Sequence, residues 1–240
     1  MKQICTLFLV FFTCYIHSQK TITYNATDGV TITADFYEAK GSNQFIILFH
    51  QAGWSRGEYK EIAPKLNALG YNCLAVDQRS GGAVNGVQNE TNAMAKKKGK
   101  KTEFVDAFQD LEASIAYVKE TYHPKKLVIW GSSYSSSLVL KYVGEYPDGI
   151  NGVLSFSPGE YFEDKKFITK SASHIKIPVF ITSAQNEKKN WSAIYDAIPS
   201  TKKHFFLPKT KGNHGSRALW AKFSDHDEYW QAVKAFIEII

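Results

Sequence analysis

Cysteine is scarce in this chain, and its scarcity excludes a disulfide framework. Only Cys5, Cys14 and Cys73 occur among 240 residues. The first two lie in the N-terminal leader described below, so the rest of the chain holds one thiol and can form no internal disulfide. Cys73 stands in an apolar stretch, where a buried structural thiol is a better interpretation than a reactive one.

The motifs of metal and nucleotide chemistry are also missing. The sequence contains no H-E-x-x-H, no C-x-x-C and no glycine-rich phosphate loop. We therefore expect neither a metal nor a cofactor. Internal repeats and low-complexity tracts are absent too, and an apolar content of 44% argues against disorder. A chain of 240 residues is long enough for one large α/β domain.

No apolar run reaches the roughly 20 residues that a membrane-spanning helix needs. The longest one, residues 4–16, follows Lys2 and precedes the small Ser18. This arrangement is typical of a secretory signal peptide. The sequence predicts a signal peptide over residues 1–18 and a single domain over residues 19–240, exported to the periplasm or the cell exterior.

Cys14 raises the alternative of a lipid anchor, which would place the protein at a membrane. The residues before it, Phe11, Phe12 and Thr13, match poorly the sequence that normally precedes a lipidated cysteine. A membrane partner is therefore expected only if Cys14 is lipidated.

The formal charge is +6, or +5 without residues 1–18, which hold one lysine and no acid. That balance mildly favours anionic surfaces. The densest basic run, residues 96–101, lacks the interleaved aromatic residues of a base-stacking platform. We predict a solvated loop there and no nucleic-acid partner.

The most informative stretch of the chain is residues 126–140. An apolar run at residues 127–130 ends in Gly131, several small hydroxyl residues follow, and an apolar pattern resumes at residues 138–140. This pattern predicts a strand, a sharp turn and a helix.

The turn fits the G-x-S-x-G nucleophile elbow, in which a strained bend exposes a serine hydroxyl at the end of a sheet. Small residues are required two positions before and after the nucleophile, where strand and helix cross closely. Gly131 and Ser135 occupy those positions, and the spacing selects Ser133 rather than Ser132. Ser135 departs from the usual glycine. The alternative is a serine-rich loop that caps a helix.

The rest of the chain alternates between strand and helix patterns. An antiparallel strand pair is predicted first, followed by five further strands. Their predicted ranges are 21–24, 30–37, 45–49, 73–76, 152–156, 178–183 and 203–207. Helices are predicted at 59–69, from 104 to 118, after the elbow, at 192–197 and from 225 onward; residues 77–101 and 158–176 carry no clear pattern. The alternation predicts an α/β fold with a mostly parallel central sheet and helices on both faces.

With these landmarks the chain resembles the α/β-hydrolase superfamily over nearly its full length, and in particular small lidless carboxylesterases and dienelactone hydrolase-like proteins. The elbow at Ser133 carries the resemblance, together with an H-x-x-G at residues 50–53 and an acid and a histidine later in the chain. The resemblance implies the α/β-hydrolase fold.

A serine hydroxyl becomes nucleophilic when a base takes its proton and a third group orients that base. In this superfamily the acid follows the serine, and the histidine comes last. Three histidines lie late enough. His204 falls in a strand pattern and His226 in the first turn of a helix, whereas His214 stands in a loop, K-G-N-H-G. His214 is therefore the predicted base.

The acid is expected directly after the strand at residues 178–183. By resemblance to the superfamily pattern P-V-L-L-I-x-G-x-x-D, Ala184 replaces the glycine and Glu187 replaces the aspartate. Glutamate is an accepted variant of the triad. Asn186 carries no negative charge and Asp196 falls inside a helix, so Glu187 is the predicted acid.

An acyl-transfer site also needs hydrogen-bond donors for the developing oxyanion. One is the backbone amide of Tyr134, the residue after the nucleophile. By resemblance to the H-G-x pattern the second is Ala52, with Gly53 as the alternative. Gln51 replaces the usual glycine of that loop. His50 is expected to brace the loop rather than to perform chemistry.

The predicted function is that of a secreted serine hydrolase that cleaves a carboxylic ester through an acyl-enzyme. Residues 158–176 are too few for a large lid, so an open site for a bulky or polymer-borne ester is expected. Aromatic residues near the strand ends are candidates for the substrate pocket, namely Trp54, Tyr134, Tyr161 and Trp191. Oligomeric state is not predicted.

Two other functions remain open from the sequence. A peptidase or amidase could use the same triad, since the fold does not separate amide from ester substrates. The third hypothesis is a non-catalytic binding protein. It is favoured by the departures from the superfamily motifs at Gln51, Ala184 and Ser135.

Overall fold

The computed structural model describes residues 19–240, which contain an eight-stranded sheet. The predicted signal peptide lies outside the described residues and stays a prediction. The strands are β1 (Gln19–Asn25), β2 (Thr31–Tyr37), β3 (Gln44–Phe49), β4 (Asn72–Val76), β5 (Lys126–Ser132), β6 (Gly152–Phe156), β7 (Val179–Thr182) and β8 (Lys203–Phe206).

The order across the sheet is β1-β2-β4-β3-β5-β6-β7-β8. Strand β2 pairs antiparallel with both β1 and β4, and all later pairs are parallel. Parallel neighbours require crossover connections, which the intervening helices provide. The predicted antiparallel opening and the mostly parallel sheet are both confirmed.

Seven α-helices surround the sheet in the described part of the chain. They are α1 (Ile62–Ala68), α2 (Glu90–Lys97), α3 (Phe108–Tyr122), α4 (Tyr134–Glu145), α5 (Phe167–Ala172), α6 (Lys188–Ala197) and α7 (His226–Glu238). Between residues 19 and 240 we find no helix with the length and apolar character needed to span a bilayer.

Helix boundaries differ from the predicted ones in three places. The helix predicted from residue 104 to 118 spans Phe108–Tyr122, because a 3-10 turn, Val105–Ala107, precedes it. The helix predicted from residue 59 begins at Ile62, because a 3-10 turn, Arg56–Tyr59, comes first. Helix α6 begins at Lys188, earlier than the predicted residue 192, since another 3-10 turn, Gln185–Glu187, leads directly into it. Glu187 therefore stands at the start of a helix rather than in an isolated loop.

The two stretches without a clear pattern contain short elements. Residues 77–101 hold a small hairpin (Ala83–Val84 and Val87–Gln88) and helix α2. The basic run is thus only partly the predicted loop, since Lys96 and Lys97 form the last turn of α2, where cations suit the helix dipole.

Both faces of the sheet are covered. On β3, Ile47 and Phe49 pack in the cluster that includes apolar residues of α3, α4 and α6, whereas Ile46 and Leu48 pack in the cluster that includes those of α1 and α7. Successive side chains of a strand point to opposite faces, so a continuous apolar run indicates a strand buried on both sides.

The strand register brings four loops together at one edge of the sheet. Phe49 on β3 lies opposite Gly131 on β5, Gly131 lies opposite Ser155 on β6, and Phe156 lies opposite Thr182 on β7. The chain leaves these strands at the same level. In open α/β sheets this carboxyl edge is where ligands bind.

Candidate active site

The turn between β5 and α4 holds Ser133 in a strained conformation. Its φ is 59° and its ψ is −125°, a combination that costs a non-glycine residue about 1–3 kcal/mol. The Ser133 amide donates to the carbonyl of Phe156 at 2.8 Å, which ties the turn to β6. The residue is 7% exposed. A strained serine at a strand-to-helix turn is the geometry of a nucleophile elbow.

Gly131 allows the strand and the helix of the elbow to approach each other. A Cβ atom on Gly131 would lie 2.4 Å from the carbonyl oxygen of Ser135. The departure at Ser135 has a structural explanation, because its hydroxyl lies within hydrogen-bond distance of the His50 carbonyl and of Oε1 of Gln78 and can donate its one proton to either. A serine in place of the second glycine therefore links the elbow to the loop after β3.

Substitution of Gly131 by alanine is expected to destabilise the fold. The added methyl group meets backbone atoms of α4 that cannot rotate away, and overpacking of this kind costs about 1–3 kcal/mol. Thermal unfolding followed by circular dichroism should show a midpoint several degrees lower. The exposed Ser173→Ala variant is the control, since the Ser173 hydroxyl contacts only the nearby Lys170 carbonyl. An unchanged midpoint in Gly131→Ala would show that α4 can move away from β5.

His214 and Glu187 form a hydrogen-bonded pair near the elbow. The distance from His214 Nδ1 to Glu187 Oε1 is 2.7 Å. The other carboxylate oxygen, Oε2, accepts from the Ser157 hydroxyl at 2.7 Å and from the Ala184 amide at 3.3 Å. An ionised Glu187 would therefore keep the proton of a neutral His214 on Nδ1 and leave Nε2 free as a base.

The pKa of Glu187 reflects a balance of opposing effects. Burial raises it, but hydrogen bonds from His214 and Ser157 and the charge of His214 outweigh burial, so the pKa lies below the usual 4.5. Glu187 is therefore ionised at neutral pH. A negative charge at this position stabilises an imidazolium at His214.

Ser157 joins the acid to the histidine loop, and sequence reasoning did not find it. It follows β6 with a φ of 58°, and its amide donates to the carbonyl of Thr182 at 2.6 Å. Its hydroxyl also accepts from the amide of Gly215, at 2.8 Å. A polar residue directly after a buried strand was the only available signal, and that signal is common to many loops.

The loop after β3 contains some backbone amides that are hydrogen-bonded within residues 19–240 and some that are not. The Gln51 amide donates to Glu58 Oε2 at 2.8 Å, so it is not available to a substrate. The amides of Ala52, Gly53 and Tyr134 have no acceptor among residues 19–240. These three free donors are the ones that the sequence predicted for an oxyanion hole.

His50 lies at the start of that loop, and both of its ring nitrogens have hydrogen-bond partners. Its Nδ1 lies 2.8 Å from the carbonyl of Gln51, and the Gln78 amide donates to its Nε2 at 2.9 Å. Complete burial lowers the pKa of His50 to about 4. A neutral, fully bonded ring fits the predicted bracing role.

The four candidate pocket aromatics have different environments. Tyr161 lies next to the nucleophile. Its hydroxyl donates to the carbonyl of Ser157 at 2.7 Å. Burial raises the pKa of Tyr161 to about 12, and the neighbouring Ser133 side chain opposes that rise. Trp54 is half-buried and stacks on Trp220 with 5.3 Å between ring centroids.

The other two predicted pocket aromatics are wrong. Trp191 is 1% exposed, and its indole nitrogen donates to the Ser183 hydroxyl, so it belongs to the core. Tyr134 is fully buried, with its hydroxyl bound to the Ser80 carbonyl. Only its backbone amide can serve the site. Loop position alone could not reveal that both rings turn inward.

A cavity of about 410 Å³ opens beside Tyr161. Its wall is mainly aromatic and its remaining lining is largely acidic. The lining residues are Phe104, Val105, Phe162, Phe167, Glu103, Glu163, Asp164 and Tyr161 itself. Residues 19–240 contain no group of three or more histidine, cysteine or acidic side chains placed to hold a metal.

Residues 41–165, slightly more than half of the chain, match the family model described as serine aminopeptidase, S33, of the Hydrolase_4 type. The chain belongs to this family. The predicted α/β-hydrolase membership and the predicted serine hydrolase class are thereby confirmed. The matched residues include the loop after β3 and the elbow, but they end before Glu187 and His214.

Solved structures share the fold of this Hydrolase_4 member at low sequence identity. The esterase Pf2001 of Pyrococcus furiosus is 19% identical, with a TM-score of 0.74 over 92% of both chains. A dienelactone hydrolase from Anabaena variabilis is 12% identical, with a TM-score of 0.72 over 92% of this chain and 97% of that one. Est1E from Butyrivibrio proteoclasticus, solved with ferulic acid bound, is 14% identical, with a TM-score of 0.66 over 90% and 97%. No curated protein sequence matches the chain.

Proposed function

We propose that this protein is an exported serine hydrolase that cleaves a carboxylic ester through Ser133, His214 and Glu187. The observation that carries the proposal is the strained Ser133 at the carboxyl edge of the sheet, together with the 2.7 Å His214–Glu187 pair near it. A strained backbone conformation costs free energy and is concentrated at functional sites. Here the strained residue is also the serine at the nucleophile position of the elbow motif.

In the proposed reaction, Nε2 of His214 takes the proton of the Ser133 hydroxyl while Oγ attacks the ester carbonyl. The carbonyl oxygen becomes negative and accepts hydrogen bonds from the amides of Tyr134 and Ala52, or of Gly53. His214 then gives its proton to the leaving alcohol, and the acyl-enzyme forms. Water repeats the sequence with the same proton transfers and releases the acid. Glu187 stays ionised and orients the imidazole throughout.

The substrate is proposed to be a small-molecule or polymer-borne ester with an apolar, aromatic-compatible part. Tyr161 connects Ser133 to the aromatic cavity, so one half of the ester can lie against Phe104 and Phe162 while its carbonyl reaches Ser133. Structural relatives named as esterases and as a dienelactone hydrolase agree with ester chemistry. Export after cleavage of residues 1–18 completes the proposal.

The deciding experiment is labelling with a fluorophosphonate probe, followed by intact-mass measurement. The unaltered protein should gain one adduct and Ser133→Ala none, because only a serine activated by a base reacts with the probe. The Ser173→Ala variant should be labelled like the unaltered protein. Labelling of Ser133→Ala would mean that another serine is the nucleophile. A folded but unlabelled protein would favour the non-catalytic binding protein.

Peptidase activity is a second candidate, favoured by the family description and by the acidic part of the cavity. Carboxylates of Glu103 and Glu163 line the cavity beside Tyr161, where they could hold the ammonium group of a peptide N-terminus. Turnover of p-nitrophenyl esters against aminoacyl p-nitroanilides separates the two functions. Ester turnover that exceeds anilide turnover by more than the intrinsic reactivity difference supports the esterase.

A further inference from the structure

Glu58 is a fully buried carboxyl group that the proposed reaction does not use. It lies in the 3-10 turn Arg56–Tyr59, directly after the loop that follows β3, and has no solvent exposure. None of the ion pairs among residues 19–240 includes Glu58. Burial of an unpaired carboxylate is costly unless hydrogen bonds compensate for it, so the contacts of Glu58 need an explanation.

The two oxygens of Glu58 bind the two segments that flank the proposed reaction. Oε2 accepts from the amide of Gln51 at 2.8 Å, one residue before the predicted oxyanion donor Ala52. Oε1 accepts from the hydroxyl of Ser132 at 2.7 Å, one residue before the predicted nucleophile. A carboxylate is well suited to this position because it can accept from both donors at once.

The loop that carries His214 contacts Ser132, the residue that binds Oε1 of Glu58. The amide of Ser216 donates to Oγ of Ser132 at 2.9 Å. A Cβ atom at Gly215 would lie only 2.5 Å from that Oγ atom, so the loop passes directly over Ser132. The chain on the other side of Glu58 is also held, since its carbonyl accepts from the Trp220 indole at 2.9 Å. The elbow and the loop after β3 therefore meet at the Glu58 carboxyl group, and the histidine loop is joined to it through the Ser132 hydroxyl.

We propose that Glu58 is a positioning residue that holds the elbow, the oxyanion loop and the histidine loop in register through its two carboxyl oxygens. This inference rests on the proposed hydrolase function. Glu58 contacts the residues next to Ser133 and Ala52, so it acts through them. Misplacement of a catalytic group by about 1 Å can lower a rate by about 10²-fold.

The ionisation of Glu58 adds a pH dependence to this arrangement. Burial raises the pKa of Glu58 to about 7, although hydrogen bonds from Gln51 and Ser132 and the charges of His214 and Arg217 oppose the rise. Tyr59 and Tyr134 also lie within its electrostatic reach. The folded protein thus binds this proton more tightly than the unfolded chain does. The contribution of Glu58 to stability should therefore fall as the pH rises from about 4.5 to about 7 and change little above that.

The test compares Glu58→Gln and Glu58→Ala, with the exposed Glu120→Gln as control. A glutamine can still accept from the Gln51 amide through its oxygen and can donate to Ser132 Oγ through its nitrogen, whereas alanine leaves both groups unpaired. We expect kcat for p-nitrophenyl acetate to fall by about 10- to 100-fold in Glu58→Ala with KM changed less than about 3-fold. Glu58→Gln should retain kcat within about 5-fold and lose the part of the stability change between pH 4.5 and 7 that Glu58 contributes.

Ser132→Ala provides a second approach if Glu58→Ala does not fold. It removes the link between Glu58 and the histidine loop, so kcat should fall, and the double variant Glu58→Ala/Ser132→Ala should lose less than the sum of the two single effects. A folded Glu58→Ala or Ser132→Ala with unchanged kcat would overturn the inference. If the unaltered protein and Glu120→Gln turned over no ester or amide, the proposed function itself would fail, and the inference would fail with it.

Discussion

Removal of Ser133, of His214, or of both is expected to lower kcat for an activated ester to the same residual rate. The serine is a weak nucleophile without its base, and the base has no proton to take without the serine, so the second substitution removes nothing further. In a hydrolase whose triad works as a unit, loss of either group costs about 10⁶-fold in kcat. Residual catalysis of about 10³-fold over water would come from the oxyanion donors and binding.

The measurement is kcat for p-nitrophenyl acetate with Ser133→Ala, His214→Ala and the double variant, each checked for folding by circular dichroism. Ser173→Ala should match the unaltered protein. Effects of the two single variants that multiplied in the double variant would contradict a shared proton transfer. A His214→Ala protein with high activity would mean that another group serves as base.

Local sequence patterns predicted most of the strands and helices of the fold. The continuous apolar runs at residues 45–49, 73–76 and 127–130 are typical of strands buried on both sides, because a parallel sheet with helices on both faces leaves no polar side. The elbow could be recognised for a related reason. Close crossing of β5 and α4 requires a small residue at position 131, and Gly131 is visible in the sequence as the end of an apolar run.

Contacts between distant segments could not be predicted in the same way. Ser157 is 30 residues from its hydrogen-bond partner Glu187. Glu58 is 74 residues from its partner Ser132. Nothing in the neighbouring residues marks either side chain as buried. The mistake at Trp191 has a more local origin. Its partner Ser183 is near in sequence, but the inward direction of the Trp191 ring depends on how α6 packs against the sheet.

Replacement of Glu187 by glutamine is expected to lower kcat by about 10⁴-fold, the effect that the wrong histidine tautomer has when the acid of a Ser-His-Asp triad becomes an amide. The amide side chain can present a donor to Nδ1 of His214, which would place the histidine proton on Nε2, the atom that must act as base. It also removes the charge that stabilises the imidazolium. Ser157 would keep a partner in the amide oxygen, so the fold should persist.

The depressed pKa of Glu187 gives this variant a second signature. Because the folded protein holds the carboxylate ionised more strongly than the unfolded chain does, the stabilisation is present above the usual pKa of 4.5 and is lost as the pH falls through the folded value. Denaturant unfolding at pH 3 to 7 should therefore show a smaller acid loss in Glu187→Gln than in the unaltered protein, with Glu120→Gln unchanged. If the Glu187 charge only stabilised the fold, Glu187→Gln would flatten the acid profile of stability and leave kcat intact. A flattened profile together with a large loss of kcat would identify the carboxylate as the group that orients His214.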